Sequence, residues 1–262
     1  MKRSIDKWYK TKKLLLDRNL RSYIPNTKRM NKKTLHSMLK QYGMVYVKPN
    51  TGSQGRGVIR VDRVNGRKGT SWKYQSGSSV HRFSSYRNAY RSLHKAADGK
   101  PYLIQKGIRM LRYRSRPFDF RIVVQKKPRS PWKVTGMAAR LAHPAKIVTN
   151  GSQGGTIYSV SGLLSKKLKP RSVRRLTRQM EQMGLQTAAR LHRTFPKLWE
   201  IGLDVAVDTS LHPWILEVNS KPDPCPFAQL NDPSMLREMI RYGKANGRTY
   251  KLHCKKSHKG GF

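Results

Sequence analysis

Two stretches of the 262-residue chain carry side chains suited to phosphate and divalent-cation chemistry. The first is Tyr46-Val47-Lys48-Pro49-Asn50-Thr51-Gly52-Ser53-Gln54-Gly55-Arg56-Gly57-Val58. Its glycines let a backbone approach anionic oxygens and aim N–H groups at them, while Lys48 adds a fixed positive charge from the preceding strand. It is not a P-loop, because the GK[ST] ending is absent. Nor is it a dinucleotide fingerprint, because a strand rather than a helix follows. On its own such a loop also describes a hairpin turn, and Lys48 is what tilts it toward phosphate.

The second stretch is Ile201-Gly202-Leu203-Asp204-Val205-Ala206-Val207-Asp208 with Trp214-Ile215-Leu216-Glu217-Val218-Asn219-Ser220-Lys221-Pro222. Asp204, Glu217 and Asn219 offer the hard oxygen donors that Mg²⁺ prefers, and Glu217 and Asn219 share one face of a strand because they are two residues apart. If Asp204 lies on the partnering strand, the three converge on one or two ions that bridge nucleotide phosphates. The plainer reading, polar residues alternating toward solvent, fits poorly with a chain that uses carboxylates so sparingly. A third group, Arg116-Pro117-Phe118-Asp119-Phe120-Arg121 with Arg140 and the run Asn150 to Gly155, supplies guanidinium groups. Arg121 and Arg140 suit the neutralisation of a transferring phosphoryl group. Asp119, an acid among so many cations, reads as the residue that orients an arginine.

These groups need two sheets to position them. Met44 to Lys48 and Val58 to Val61 read as strands flanking the glycine-rich loop, and Tyr102 to Ile108 as a further strand at a lobe boundary. Gly66 to Ser79, rich in Gly, Ser and Lys, reads as loop or irregular strand. Phe118 to Gln125 with Trp132 to Ala142, and Ile201 to Val207 with Trp214 to Val218, read as antiparallel hairpins. Helices are expected around Leu14 to Leu16, at Leu35 to Leu39 up to a stop at Gly43, over Ser84 to Ala97, from Val173 to Leu191, and over Pro233 to Tyr242. Ile24 to Thr27 reads as a turn. The resulting division is a basic helical lead at 1–40, a first lobe at 41–108, a second at 109–242, and a frayed basic tail at 243–262.

Composition bounds the partners. The 56 Lys and Arg against 13 Asp and Glu give a formal charge of +43, which attracts polyanions: nucleic acid without sequence preference, an anionic polymer or an anionic surface. No nucleic-acid-binding signature accompanies the charge. Only Asp6, Asp17, Asp62, Asp98 and Asp119 are acidic before Met180, whereas Glu200, Asp204, Asp208, Glu217, Asp223, Asp232 and Glu238 crowd one short stretch. No apolar run approaches the roughly 20 residues of a membrane span, and no secretory pattern follows Met1, so an intracellular, cytoplasmic protein is expected. Cys225 and Cys254 match no CxxC or zinc spacing and read as plain free thiols.

Taken in order, Lys48-Pro49 with its loop, Tyr102-Leu-Ile-Gln105-Lys-Gly-Ile108, Phe118-Asp-Phe-Arg121, Thr135-Gly-Met-Ala-Ala-Arg140, Thr149-Asn-Gly, Gly154-Gly155, Gly202-Leu-Asp204 and Leu216-Glu-Val-Asn-Ser-Lys-Pro222 resemble the ATP-grasp superfamily. The similarity is strongest to its YheC/YheD branch of endospore coat-associated proteins, and it runs from about Ile24 to Phe227. The resemblance implies an α+β fold of two lobes with mostly antiparallel sheets holding ATP. Lys48 would contact phosphates, Ser53, Gln54, Gly55 and Gly57 would form a lid over them, and Gln105, Lys106 and Ile108 would present backbone groups to adenine. Asp204, Glu217 and Asn219 would hold Mg²⁺, with Arg121 and Arg140 on the phosphates or an acyl phosphate. A second nucleotide-contacting lysine is usual in the superfamily, and both Lys73 and Lys106 are candidates. The implied activity is ligation of a carboxylate to an amine or thiol, with spore association. The alternative is a noncatalytic basic scaffold that keeps the fold and holds an anionic polymer or spore-coat component.

Overall fold

The computed structural model describes residues 6–52, 55–67, 69–143, 155–250, 252 and 258–260. They divide into two units, one built mainly from 25–108 with residues 6–11, the other from 12–24 and the residues after 108.

The first unit begins in helix α1 (Lys7–Leu15), whose end belongs to the second unit. A helix leaves its first N–H groups without internal partners. Here Lys7 N–H donates to the Asn50 carbonyl at 3.1 Å and Trp8 N–H to Asn50 Oδ1 at 2.9 Å, so a residue of the glycine-rich loop caps the helix. The unit continues through β1 (Thr27–Arg29), α2 (Lys32–Tyr42), β2 (Met44–Pro49), β3 (Ile59–Gly66), β4 (Gly69–Ser76), β5 (Ser79–Phe83), α3 (Tyr86–Ala96) and β6 (Tyr102–Lys106). Asn31 caps α2 by accepting from Thr34 N–H, and Gly43 ends it. The strands form one antiparallel sheet in the order β1-β6-β2-β3-β4-β5. Alternation sends Val45, Val47, Ile59, Val61, Tyr74 and Ile104 to one face, where Leu35, Met38 and Leu39 of α2 and Leu93 of α3 bury them.

One expectation changes here and another is narrowed. The Ile24 to Thr27 turn gives way at Thr27 to β1, which pairs with β6 from Thr27↔Gln105 to Arg29↔Leu103. Of the loop or irregular strand read for Gly66 to Ser79, the structure has a strand: β4 pairs with β3 over its whole length and turns directly into β5. The Gly and Ser residues mark the two tight links, while Trp72 and Tyr74 make the strand, Tyr74 by entering the core.

The second unit contains β7 (Arg112–Tyr113), β8 (Arg116–Gln125), β9 (Lys133–Leu141), β10 (Thr156–Ser159), α4 (Val160–Ser165), α5 (Pro170–Thr194), β11 (Glu200–Val207), β12 (Pro213–Asn219), α6 (Cys225–Ala228), α7 (Ser234–Lys244) and β13 (His258–Lys259). The sheet order is β12-β11-β8-β9-β10-β13, with β7 beside β8. Every pairing is antiparallel except β10 with β13. One face carries Phe118, Phe120, Ile122 and Val124 against α4 and α5 in the larger core. On the opposite face Val123, Ala138 and Ile157 meet Phe227 of α6 and Met239 of α7. Polar residues flank this patch on the same face, and the functional candidates stand among them.

The tail is not frayed over its described part up to Tyr250, because Arg248 and Tyr250 enter a buried polar network described below. Cys225 is disulfide-bonded, which corrects its reading as a free thiol; Cys254 lies outside the described residues.

Candidate functional site

In the second unit, strand register assembles the site. Asp204 on β11 stands opposite Arg121 on β8 and opposite Glu217 on β12, while Asn219 stands opposite Gly202. Asp119 on β8 is opposite Arg140 on β9. Residues paired across antiparallel strands share a face, so Arg140, Asp119, Arg121, Asp204, Glu217 and Asn219 form a row across four strands. The expected placing of Asp204 on the strand that partners Glu217 is what the structure contains.

The charges within the row are coupled. Arg140 donates from Nε to Asp119 Oδ1 at 2.8 Å and from Nη2 to Asp119 Oδ2 at 2.6 Å, and the same Nη2 lies 3.2 Å from Asp204 Oδ2. Arg121 Nε lies 2.8 Å from Asp204 Oδ1, close but misaligned for a hydrogen bond. Burial alone would lower the Arg140 guanidinium; Asp119 and then Asp204 more than offset it and hold it above its ordinary range. Arg140 is only 1% exposed, and its guanidinium is taken up by Asp119 and Asp204. Arg121, also buried, shares Asp204 in the same way.

Two carboxylates and an amide fit a hard cation: every donor is oxygen, and Mg²⁺ commonly uses one or two protein carboxylates and completes its shell with water and substrate phosphates. Among the described residues no three His, Cys, Asp or Glu gather into a metal cluster, and the third donor of this set is the Asn219 amide. Gly202 matters to that amide. A Cβ at Gly202 would stand 2.6 Å from Pro222 Cβ, so the absence of a side chain lets the turn after Asn219 close over β11.

In the first unit, Lys48 and Gln105 are 8% and 5% exposed. Lys48 Nζ donates to Gln105 Oε1 at 2.9 Å, and Gln105 Nε2 donates to Thr27 Oγ1 at 3.1 Å, which links β2, β6 and β1 on the face away from the helices. Gln105 therefore acts through its side chain on Lys48, a role its sequence position did not disclose. Register also separates the two lysine candidates. Lys73 pairs with Asp62, which pairs with Met44, placing Lys73 on the Lys48 face. Lys106 pairs with core residue Val45, and its ammonium sits 5.5 Å from the centroid of the Tyr42 ring. The backbone N–H groups of Lys106 and Gly107 donate to the Asn26 and Met44 carbonyls, and Ile108 follows just beyond the end of β6. Gly55 and Gly57 both have positive φ, 69° and 73°, and a Cβ at Gly57 would press on the Tyr102 hydroxyl at 3.0 Å. Ser53 and Gln54 lie outside the described residues, as does the run from Asn150 to Gly154.

A group that sequence reasoning missed lies at the far end of the β8–β11 pair. Glu200, 2% exposed, accepts from the Tyr250 hydroxyl at 2.8 Å and pairs with Arg248. Gln125 joins them, donating to Tyr250 at 2.7 Å and accepting from Thr135 at 2.5 Å. The crowding of acids around Glu200 was the available signal.

Similarity to known proteins extends over most of the chain. The profile of the family described as YheC/D like ATP-grasp matches residues 2–244. The chain is 26% identical over 197 residues to the endospore coat-associated protein YheD of Bacillus subtilis, covering 72% of this chain and 42% of that one. It is 25% identical over 219 residues to YheC of the same organism, covering 83% and 60%. The chain thus spans less than two thirds of either relative. Among solved structures, N5-carboxyaminoimidazole synthase from Aspergillus clavatus, in complex with ADP and 5-aminoimadazole ribonucleotide, superposes with a TM-score of 0.53 at 9% identity over 97% of this chain and 54% of that one. D-cycloserine synthetase DcsG gives 0.50 at 12% identity, over 83% and 63%. Both show the fold, two-sheet α+β with mostly antiparallel strands.

Proposed function

The chain belongs to the YheC/D-like ATP-grasp family, and from that membership we propose that it is a Mg-ATP-dependent ligase that activates a carboxylate for attack by an amine or thiol. The observation that carries this reading is the Asp204–Glu217 pair facing one another across β11 and β12, with Asn219 two residues on and Arg121 alongside. Glu217 and Asn219 would hold Mg²⁺ with Asp204, which the neighbouring guanidinium groups contact. A bound Mg²⁺ would supply charge neutralisation at the phosphoryl oxygens. Arg121 would trade part of its hold on Asp204 for those oxygens, and Arg140 would keep Asp204 in place. Lys48, fixed by Gln105, would take nucleotide phosphate, with Gly55 and Gly57 allowing backbone N–H groups to approach it. In the reaction a substrate carboxylate oxygen bonds to the terminal phosphorus of ATP and ADP leaves; the amine or thiol then attacks the acyl carbon and phosphate leaves. No covalent enzyme nucleophile is required. A cytoplasmic site of action and association with the spore are part of the proposal, the latter supported by the names of the two relatives.

Calorimetric titration of ATP with and without Mg²⁺ tests it, at salt high enough to screen nonspecific attraction. Wild type is expected to bind saturably only with Mg²⁺, and Lys48→Ala and Glu217→Ala each to lose that binding. Binding that ignores both substitutions removes the ligase reading. The formal charge of +43 favours a second reading, a noncatalytic basic scaffold for an anionic polymer. That reading expects polyanion binding which falls with salt and is untouched by Glu217→Ala.

A further inference from the structure

The loop that carries Asn219 is held from a distant part of the chain. Arg248 extends from the segment after α7, donates from Nη2 to the Pro222 carbonyl at 3.2 Å, and pairs through its other terminal nitrogen with buried Glu200. Its guanidinium lies 4.3 Å from the centroid of the Tyr250 ring, and the Tyr250 hydroxyl closes on the same Glu200 carboxylate. Glu200 begins β11, the strand of Gly202 and Asp204, while Pro222 follows β12, the strand of Glu217 and Asn219. The two nitrogens therefore tie the start of the metal-site strand to the turn that follows the metal-site amide. Pro222 also rests against Gly202, with no room for a Cβ, so the turn has two supports.

We propose that Arg248 is a positioning residue for the Asp204–Glu217–Asn219 site, setting the turn from Asn219 to Pro222 and through it the direction of the Asn219 amide. The metal part of this proposal rests on the ligase reading above; the loop part does not. A flat fork that donates in two directions is the property used, and it is one that lysine lacks. Support of metal ligands from outside the ligand shell is worth about 10- to 100-fold in metal affinity.

The test is Arg248→Lys, which keeps a cation beside Glu200 but cannot reach Glu200 and Pro222 together, with Arg248→Ala as the stronger perturbation. Three quantities are read on the full chain: the melting temperature, amide hydrogen exchange of the peptide 217–224 without metal, and the Mg²⁺ concentration that gives half-maximal ATP binding. Loss of one charge-assisted hydrogen bond predicts exchange in 217–224 faster by about tenfold or more. The Mg²⁺ requirement is expected to rise by about tenfold, while the melting temperature of Arg248→Lys stays near wild type. Wild-type exchange at 217–224 in Arg248→Lys overturns the proposal, and so does acceleration spread evenly over the whole unit. If wild type shows no Mg²⁺-dependent ATP binding, the ligase reading falls with the metal-positioning role, and the exchange experiment still decides whether Arg248 sets the turn.

Discussion

Asp119 and Arg140 meet in a region almost without solvent, at 1% exposure each. Two charges leave water there at high cost, and their bidentate contact with its extension to Asp204 compensates. Breaking such a pair from one side strands the other charge. Asp119→Ala is therefore expected to lower unfolding free energy by about 3–5 kcal/mol in urea denaturation, whereas Asp119→Asn, which keeps an acceptor, loses less. Equal stability for wild type and both variants would mean the pair is not formed. The sequence marked Asp119 as an arginine partner because it was isolated among cations. It gave no means of telling that Arg140 is interior, because nothing local distinguishes one arginine from the others in a chain with 56 basic residues. That Asp204, Glu217 and Asn219 share one face was legible because their placement follows strand periodicity. Gln105 as the partner of Lys48 was not, because that contact joins residues 57 apart in the chain.

The β11–β12 hairpin turns on Asp208. Its Oδ1 accepts from the Ser210 N–H at 2.9 Å and the His212 N–H at 3.0 Å, and its Oδ2 from the Trp214 indole at 2.8 Å. Burial pushes the carboxyl up, but the bonds from Trp214, His212 and Ser210 outweigh it and hold it below the ordinary carboxylate value. A depressed folded value means that the stabilisation is present above the unfolded value of about 3.9 and disappears as pH falls through the folded one. Wild type is thus expected to exceed Asp208→Ala in stability by more at about pH 6 than at about pH 3. A difference independent of pH would show that the carboxylate charge is not involved. Hairpins such as this one were readable because apolar alternation and turn residues agree. β4 and β5 were not, because their Gly, Ser and Lys content imitates a loop and only Trp72 and Tyr74 betray a strand. Arg248 and Tyr250 were hidden for a related reason: a polar segment near a chain end looks solvated until the buried Glu200 that receives it is known.

Across the molecule, 56 Lys and Arg in 262 residues leave a field no local reading captures, and its consequence is measurable. A double-stranded oligonucleotide followed by fluorescence anisotropy should bind without sequence preference. If about 6–10 phosphates are contacted, affinity should drop by about 10³- to 10⁵-fold between about 50 mM and 200 mM salt. Glu217→Ala should follow the same curve, since this attraction belongs to the surface and not to the carboxylate site. Affinity that persists at raised salt for one sequence would instead reveal dedicated recognition. The same whole-molecule view bears on α1, whose first N–H groups end on Asn50, 42 residues beyond Trp8. A nine-residue helix is too short to persist alone in water. During synthesis it therefore leaves the ribosome before its cap exists, and it becomes stable only when the chain has grown through Asn50 and the two can close on each other. The helix and the base of the glycine-rich loop are then acquired in a single event, although the ribosome delivers them well apart.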